Sequence, residues 1–147
     1  IGMSEGFTGG CACGAVRYTC SEPPRLVGHC HCEDCRRSSG TGHTTHVIVD
    51  EAGFQLTGIV TAFERVGDSG RPVVRSFCPV CGSQIFARYA VRPGSIHVRA
   101  SSLDDPKSLS PGLIVFASRM LDWDVMDPSL PAFPEMASDT ARALLEA

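Results

Sequence analysis

Seven of the eight cysteines in this chain fall into three tight groups, Cys11-Ala12-Cys13, Cys30-His31-Cys32-Glu33-Asp34-Cys35 and Cys78-Pro79-Val80-Cys81, and only Cys20 stands apart. A metal needs at least two sulfurs in one coordination sphere, and a C-x-C or C-x-x-C turn presents both from one short piece of backbone. Zinc is the expected metal because four sulfurs suit its tetrahedral preference; disulfides and iron–sulfur are the competing readings. Cys78 to Cys81, followed by Gly82, has the form of a zinc knuckle: the turn aims backbone N–H groups at sulfur, and the trailing glycine is free to take a positive φ. Cys11 and Cys13, trailed by Gly14, make a second such pair. The two pairs predict a closed structural tetrathiolate that ties the N-terminal segment to a turn far along the chain.

Cys30, Cys32 and Cys35 supply three ligands and no evident fourth cysteine, and three protein ligands plus an open position is the catalytic pattern. A histidine closing the sphere (His29, His31, His43 or His46) would instead make this second zinc structural. Zinc on three thiolates carries net negative charge and acidifies bound water weakly, whereas a bound thiol still deprotonates and stays nucleophilic. Carbon–sulfur chemistry therefore fits an open site better than hydrolysis. Arg36 and Arg37 follow the third ligand directly, where a guanidinium would pair with a substrate carboxylate; the bland reading is two solvated surface arginines. Cys20 reads as a small buried hydrophobe, Trp123 as a core anchor and His97, between Ile96 and Val98, as the polar face of a strand. No side chain declares itself a general base.

Positioning these ligands falls to short β-rich runs punctuated by Gly and Pro: 15–19, 43–49, 59–66, 73–77, 84–89, 95–99 and 113–116. Hairpin signals stand at 67–72 and 91–94. Helix is scarce. Glu33 to Ser39 reads as two turns stopped by Gly40, and Asp139 to Glu146 as a terminal helix capped by Ser138. The 147 residues suit one domain able to bury about two-thirds of its unfolded surface. One lysine among thirteen basic residues and a net charge of −3 leave no basic field for nucleic acid. The longest apolar run, 113–117, is far too short to cross a bilayer. The start shows no secretory signal, Ile1 and Gly2 look like a cloning remnant, and a cytoplasmic address is expected.

The residues resemble the glutathione-dependent formaldehyde-activating enzymes, a family whose zinc domain is shared with centromere protein V. The run Gly10-Cys11-Ala12-Cys13-Gly14-Ala15-Val16-Arg17-Tyr18 is similar to the family's first motif and His29 to Gly40 to its central one. Phe77 to Ile85 resembles the third, and Trp123 with Leu130-Pro131-Ala132-Phe133 the usual ending, so the likeness spans about residues 7–134. It implies a structural zinc on Cys11, Cys13, Cys78 and Cys81 and a catalytic zinc on Cys30, Cys32 and Cys35. It also implies a mainly-β, Mss4-like β-tent of antiparallel strands around the structural zinc, with one or two short helices, as a single domain over 3–147. The expected function is that of a zinc-dependent carbon–sulfur lyase acting on adducts of glutathione or a similar small thiol, with S-hydroxymethylglutathione formation from formaldehyde as the family reaction. The resemblance further implies two Zn2+ per chain and glutathione as cosubstrate; Arg36, by its place directly after the third ligand, is the candidate substrate contact. The rival reading is a non-catalytic zinc module for protein interaction, whose mark is a fourth protein ligand on the second metal.

Overall fold

The computed structural model describes residues 5–67 and 70–139. The expected terminal helix at 139–146 lies outside them beyond its first residue. The chain is mainly β, with one α-helix among the described residues. By contact density it divides into two compact units, residues 1–25 with 47–109 and residues 26–46 with 110–147.

In the first unit, β1 (Phe7–Gly10) and β2 (Arg17–Cys20) pair antiparallel, Phe7 opposite Cys20 and Gly10 opposite Arg17. Their connection is the six-residue turn carrying Cys11 and Cys13. The far edge of β2 takes β5 (Phe54–Thr57), again antiparallel. Alternation decides which side chains turn inward: Tyr18 and Cys20 are buried while Arg17 and Thr19 face out. A second antiparallel set runs in the order β9 (Ser95–Arg99), β8 (Gln84–Tyr89), β7 (Pro72–Phe77) and β6 (Thr61–Val66). The β7–β8 register shifts between Ser76 and Phe77, so Ile85 is an extra residue on β8 just where the chain leaves the ladder for Cys78–Cys81. A bulge at that point bends the strand end and re-aims the knuckle beside it. Val16, Tyr18, Val47, Cys78, Ile85, Ile96 and Val98 are the fully buried centre of this unit. His97 is buried as well, its ring 4.4 Å from that of Tyr89, because β9 is covered on both faces. The exposed polar face expected there is absent.

In the second unit, β3 (Leu26–Cys30) pairs with β10 (Leu113–Val115) in parallel, Val115 opposite Cys30. This parallel pair makes an otherwise mainly antiparallel arrangement mixed. On its other edge β3 neighbours β4 (Thr44–Asp50), whose first three residues belong to this unit. Between β3 and β4 lies α1 (Glu33–Ser39), ended by Gly40 in the left-handed conformation. Acidic Glu33 and Asp34 in its first turn and basic Arg36 and Arg37 in its last complement the helix dipole. The expected ending is also placed: the Ile114 N–H donates to the Pro131 carbonyl and the Phe133 N–H to the Ile114 carbonyl, laying 131–133 along β10. Trp123, the expected core anchor, is 69% exposed.

Candidate metal centres

The first centre is built by two turns of like design. The Cys11 N–H and Val16 carbonyl close one turn at 3.0 Å, and the Gly82 N–H and Cys78 carbonyl close the other at 2.8 Å. Gly14 and Gly82 take φ of 82° and 79°, as the knuckle reading requires. The four sulfurs of Cys11, Cys13, Cys78 and Cys81 lie within 4.8 Å of one another. Cys11 and Cys13 are separated by 3.6 Å and Cys13 and Cys78 by 3.8 Å. Four sulfurs about 2.3 Å from a tetrahedral zinc stand about 3.8 Å apart, so this donor set fits that ion. Backbone N–H groups of Val16 and Val80 point at the Cys11 and Cys78 sulfurs, at 3.2 and 3.4 Å. Ser83 adds an outer contact, its Oγ 3.2 Å from Cys81 Sγ and accepting from the Ala12 N–H at 3.1 Å. That hydroxyl, with the backbone N–H groups of Ser83 and Cys13, holds the Cys81 thiol down to about 5.

The second centre gathers Cys30, Cys32 and Cys35, their sulfurs again within 4.8 Å of one another. Cys30 is the last residue of β3, Cys32 caps α1 by accepting from the Cys35 N–H at 3.3 Å, and Cys35 stands in the helix's first turn. One strand end and one helix start thus converge three thiols. Thiol donation from Cys30 and Cys35, with the backbone N–H groups of Cys35 and Asp34, holds the Cys32 thiol far below its ordinary value. Cys30 is pushed up by its donation to the other two and by burial. His46 Nε2 lies 3.4 Å from Cys35 Sγ, yet no histidine nitrogen joins all three sulfurs within the same 4.8 Å among the described residues. His46 thus touches Cys35 without joining the three-sulfur set. All eight cysteines are free thiols, so the disulfide reading is not followed. Burial pushes Cys20 up to about 12, as befits an inert core thiol.

Of the two arginines, Arg37 is spent on Glu33 one helical turn back, at 3.0 Å. Arg36 is half-buried and has no ion-pair partner among the described residues.

A model of the glutathione-dependent formaldehyde-activating enzymes matches residues 6–119, a span that holds all three cysteine groups. The chain belongs to this family. A Halomonas elongata protein bearing the same family description is 30% identical over 103 residues, 65% of this chain and 64% of the relative, so the chain spans under two-thirds of that relative's length. A Rhodobacter sphaeroides protein of known crystal structure superposes with a TM-score of 0.52 at 17% identity, over 86% of this chain and 98% of that one, a likeness of fold. Among the described residues no helix is long and apolar enough to cross a membrane.

One polar group of this family member has no signature in its sequence. The ligand atoms of His31, His43 and Asp124 lie within 4.8 Å of one another. His43 Nδ1 is 2.6 Å from Asp124 Oδ2, and His29, with Nδ1 on Thr45 Oγ1 at 2.8 Å, sets its ring edge-on to His43. Desolvation, then His43 and His31, hold His29 down to about 4. The histidines are visible in the sequence as possible closing ligands, but Asp124, 81 residues from His43, gives no spacing signal.

Proposed function

We propose that this protein is a zinc-dependent carbon–sulfur lyase in a single domain, working on adducts of glutathione or a similar small thiol, with formaldehyde the carbonyl partner its family name suggests. The observation that carries the reading is the second centre: three sulfurs converge and no histidine nitrogen completes their set among the described residues. That donor set fits zinc with one position left for substrate. Zinc there would supply a Lewis-acid seat that keeps a substrate thiol ionised at neutral pH. Everything else falls to the chain. Cys30, Cys32 and Cys35 would hold the ion, while Cys11, Cys13, Cys78 and Cys81 would hold a structural one. His46 fixes Cys35 from outside, as a partner that orients a ligand does. Arg36, with no carboxylate partner among the described residues, would bind a carboxylate of the tripeptide and orient it toward the thiols. The non-catalytic module is disfavoured, because its mark, a fourth protein ligand on the second centre, is not among the described residues.

Calorimetric titration of the zinc-loaded protein tests this. Glutathione should bind at least tenfold more tightly than S-methylglutathione, which offers no thiolate, and Arg36→Ala should weaken glutathione about tenfold with zinc content unchanged. Equal binding of thiol and thioether would remove the metal-centred thiol reading.

A further inference from the structure

We propose that His31, His43 and Asp124 form a third metal site, for a divalent first-row cation of the zinc class, distinct from both sulfur centres. Three segments meet there: the residue between Cys30 and Cys32, the approach to β4, and the turn at 121–124. Asp124 Oδ2 faces Nδ1 of both rings, at 2.6 Å from His43 and 3.7 Å from His31. Nitrogen and oxygen donors on one tetrahedral zinc stand about 3.4 Å apart, so the two distances straddle the bound value. Small shifts of the carboxylate would equalise them. In the ion-free arrangement the short contact is a hydrogen bond from His43 Nδ1 to the carboxylate. On binding, the ring's proton would reside on Nε2, leaving Nδ1 as the ligand with no change in net charge of the side chain.

A second observation points to an absent ligand. His31 is 1% exposed, and neither of its ring nitrogens makes a hydrogen bond of normal geometry among the described residues, the Gly42 backbone being the nearby polar group that interacts with the ring. A buried imidazole nitrogen without a hydrogen bond of good geometry costs on the order of 1–3 kcal/mol, unless something absent from the chain satisfies it. Room for the carboxylate is also specifically kept: a Cβ on Gly42 would fall 2.3 Å from Asp124 Oδ2. Two imidazoles and one carboxylate suit zinc, iron, cobalt or nickel rather than magnesium or calcium, which demand oxygen ligands. His43 and Asp124 are 20% and 12% exposed, so an ion could enter.

The test is equilibrium dialysis of wild type, His43→Ala and Asp124→Asn against excess zinc, with bound metal measured by elemental analysis and unprotected thiols counted with a thiol reagent. Wild type should hold one zinc more than either variant, with the same number of protected thiols in all three. Since the variants share every other surface residue, adventitious zinc subtracts out. Equal zinc in wild type and Asp124→Asn overturns the site, as does wild type holding only the zinc that its protected thiols account for, a result that stands even if a variant fails to fold. The thiol count reports on the sulfur centres alone, so a failure of the lyase reading is distinguishable from a failure here.

Discussion

At the scale of single residues, the candidate metal ligands are legible in the sequence because thiolate ligation wants its donors in local pairs, and Cys11-x-Cys13 and Cys78-x-x-Cys81, whose sulfurs the structure gathers, are such pairs. Ser83 carries no such signal, yet its hydroxyl sits between Cys81 Sγ and the Ala12 N–H and so joins the two turns. Ser83→Ala should lower zinc affinity at the four-sulfur centre about 10- to 100-fold, the usual cost of losing an outer-shell partner, as read by competition with a chelator. Asp104 makes a different point. Its carboxylate accepts from Arg17 Nη1 at 2.9 Å and from the Thr8 hydroxyl at 2.6 Å, and the Arg17 hydrogen bond first of all holds it down to about 2. A lowered carboxyl favours the folded state above the unfolded value of about 3.9, and that contribution is lost as pH falls toward 2. Both partners are nearly half exposed, so solvent screening keeps the effect below about 1 kcal/mol. Asp104→Asn should lower stability slightly at pH 7 and flatten its decline between about pH 4 and pH 2 in denaturant titrations. His97 and Trp123 depart from expectation for one reason: alternation along one strand, or side-chain size alone, does not reveal whether a second layer covers the face.

At the scale of elements, β8 and β9 fall at the residues expected from the sequence, and α1 ends at its Gly40 stop. Three strands have no such expectation behind them. β1 carries two glycines in four residues, β3 mixes glycine and histidine into an apolar run, and β5 is a four-residue edge; each lacks the β-branched density that marks a strand alone. They form because neighbours supply the ladder, as the parallel β3–β10 pairing shows: its partners lie more than 80 residues apart, beyond any local pattern. The same contrast of local and distant separates the two sulfur centres. The four-sulfur centre joins turns 65 residues apart, whereas Cys30, Cys32 and Cys35 sit on one strand end and the helix after it. Structural zinc contributes on the order of 10 kcal/mol of apparent folding free energy. Cys81→Ser should therefore leave the chain unfolded or insoluble, while Cys32→Ser should stay folded and lose one zinc, by circular dichroism and elemental analysis of the pair. Equal loss of fold in both would make the second centre structural.

At the scale of the whole molecule, the three cysteine motifs with the residues around them lead to the family, whose model matches residues 6–119. The reaction is less legible, because three converging thiols could hold a metal ion without saying which carbonyl meets a substrate sulfur. The lyase reading requires that centre to handle a carbon–sulfur bond. Exchange NMR on equilibrated glutathione and formaldehyde, with the zinc-loaded protein added, measures this step itself. Interconversion of the free thiol and its hydroxymethyl adduct should run at least tenfold faster than without protein, with no acceleration by folded Cys32→Ser. Exchange no faster with wild type than without it, or equally fast with Cys32→Ser, would refute a carbon–sulfur role for the three-thiol centre.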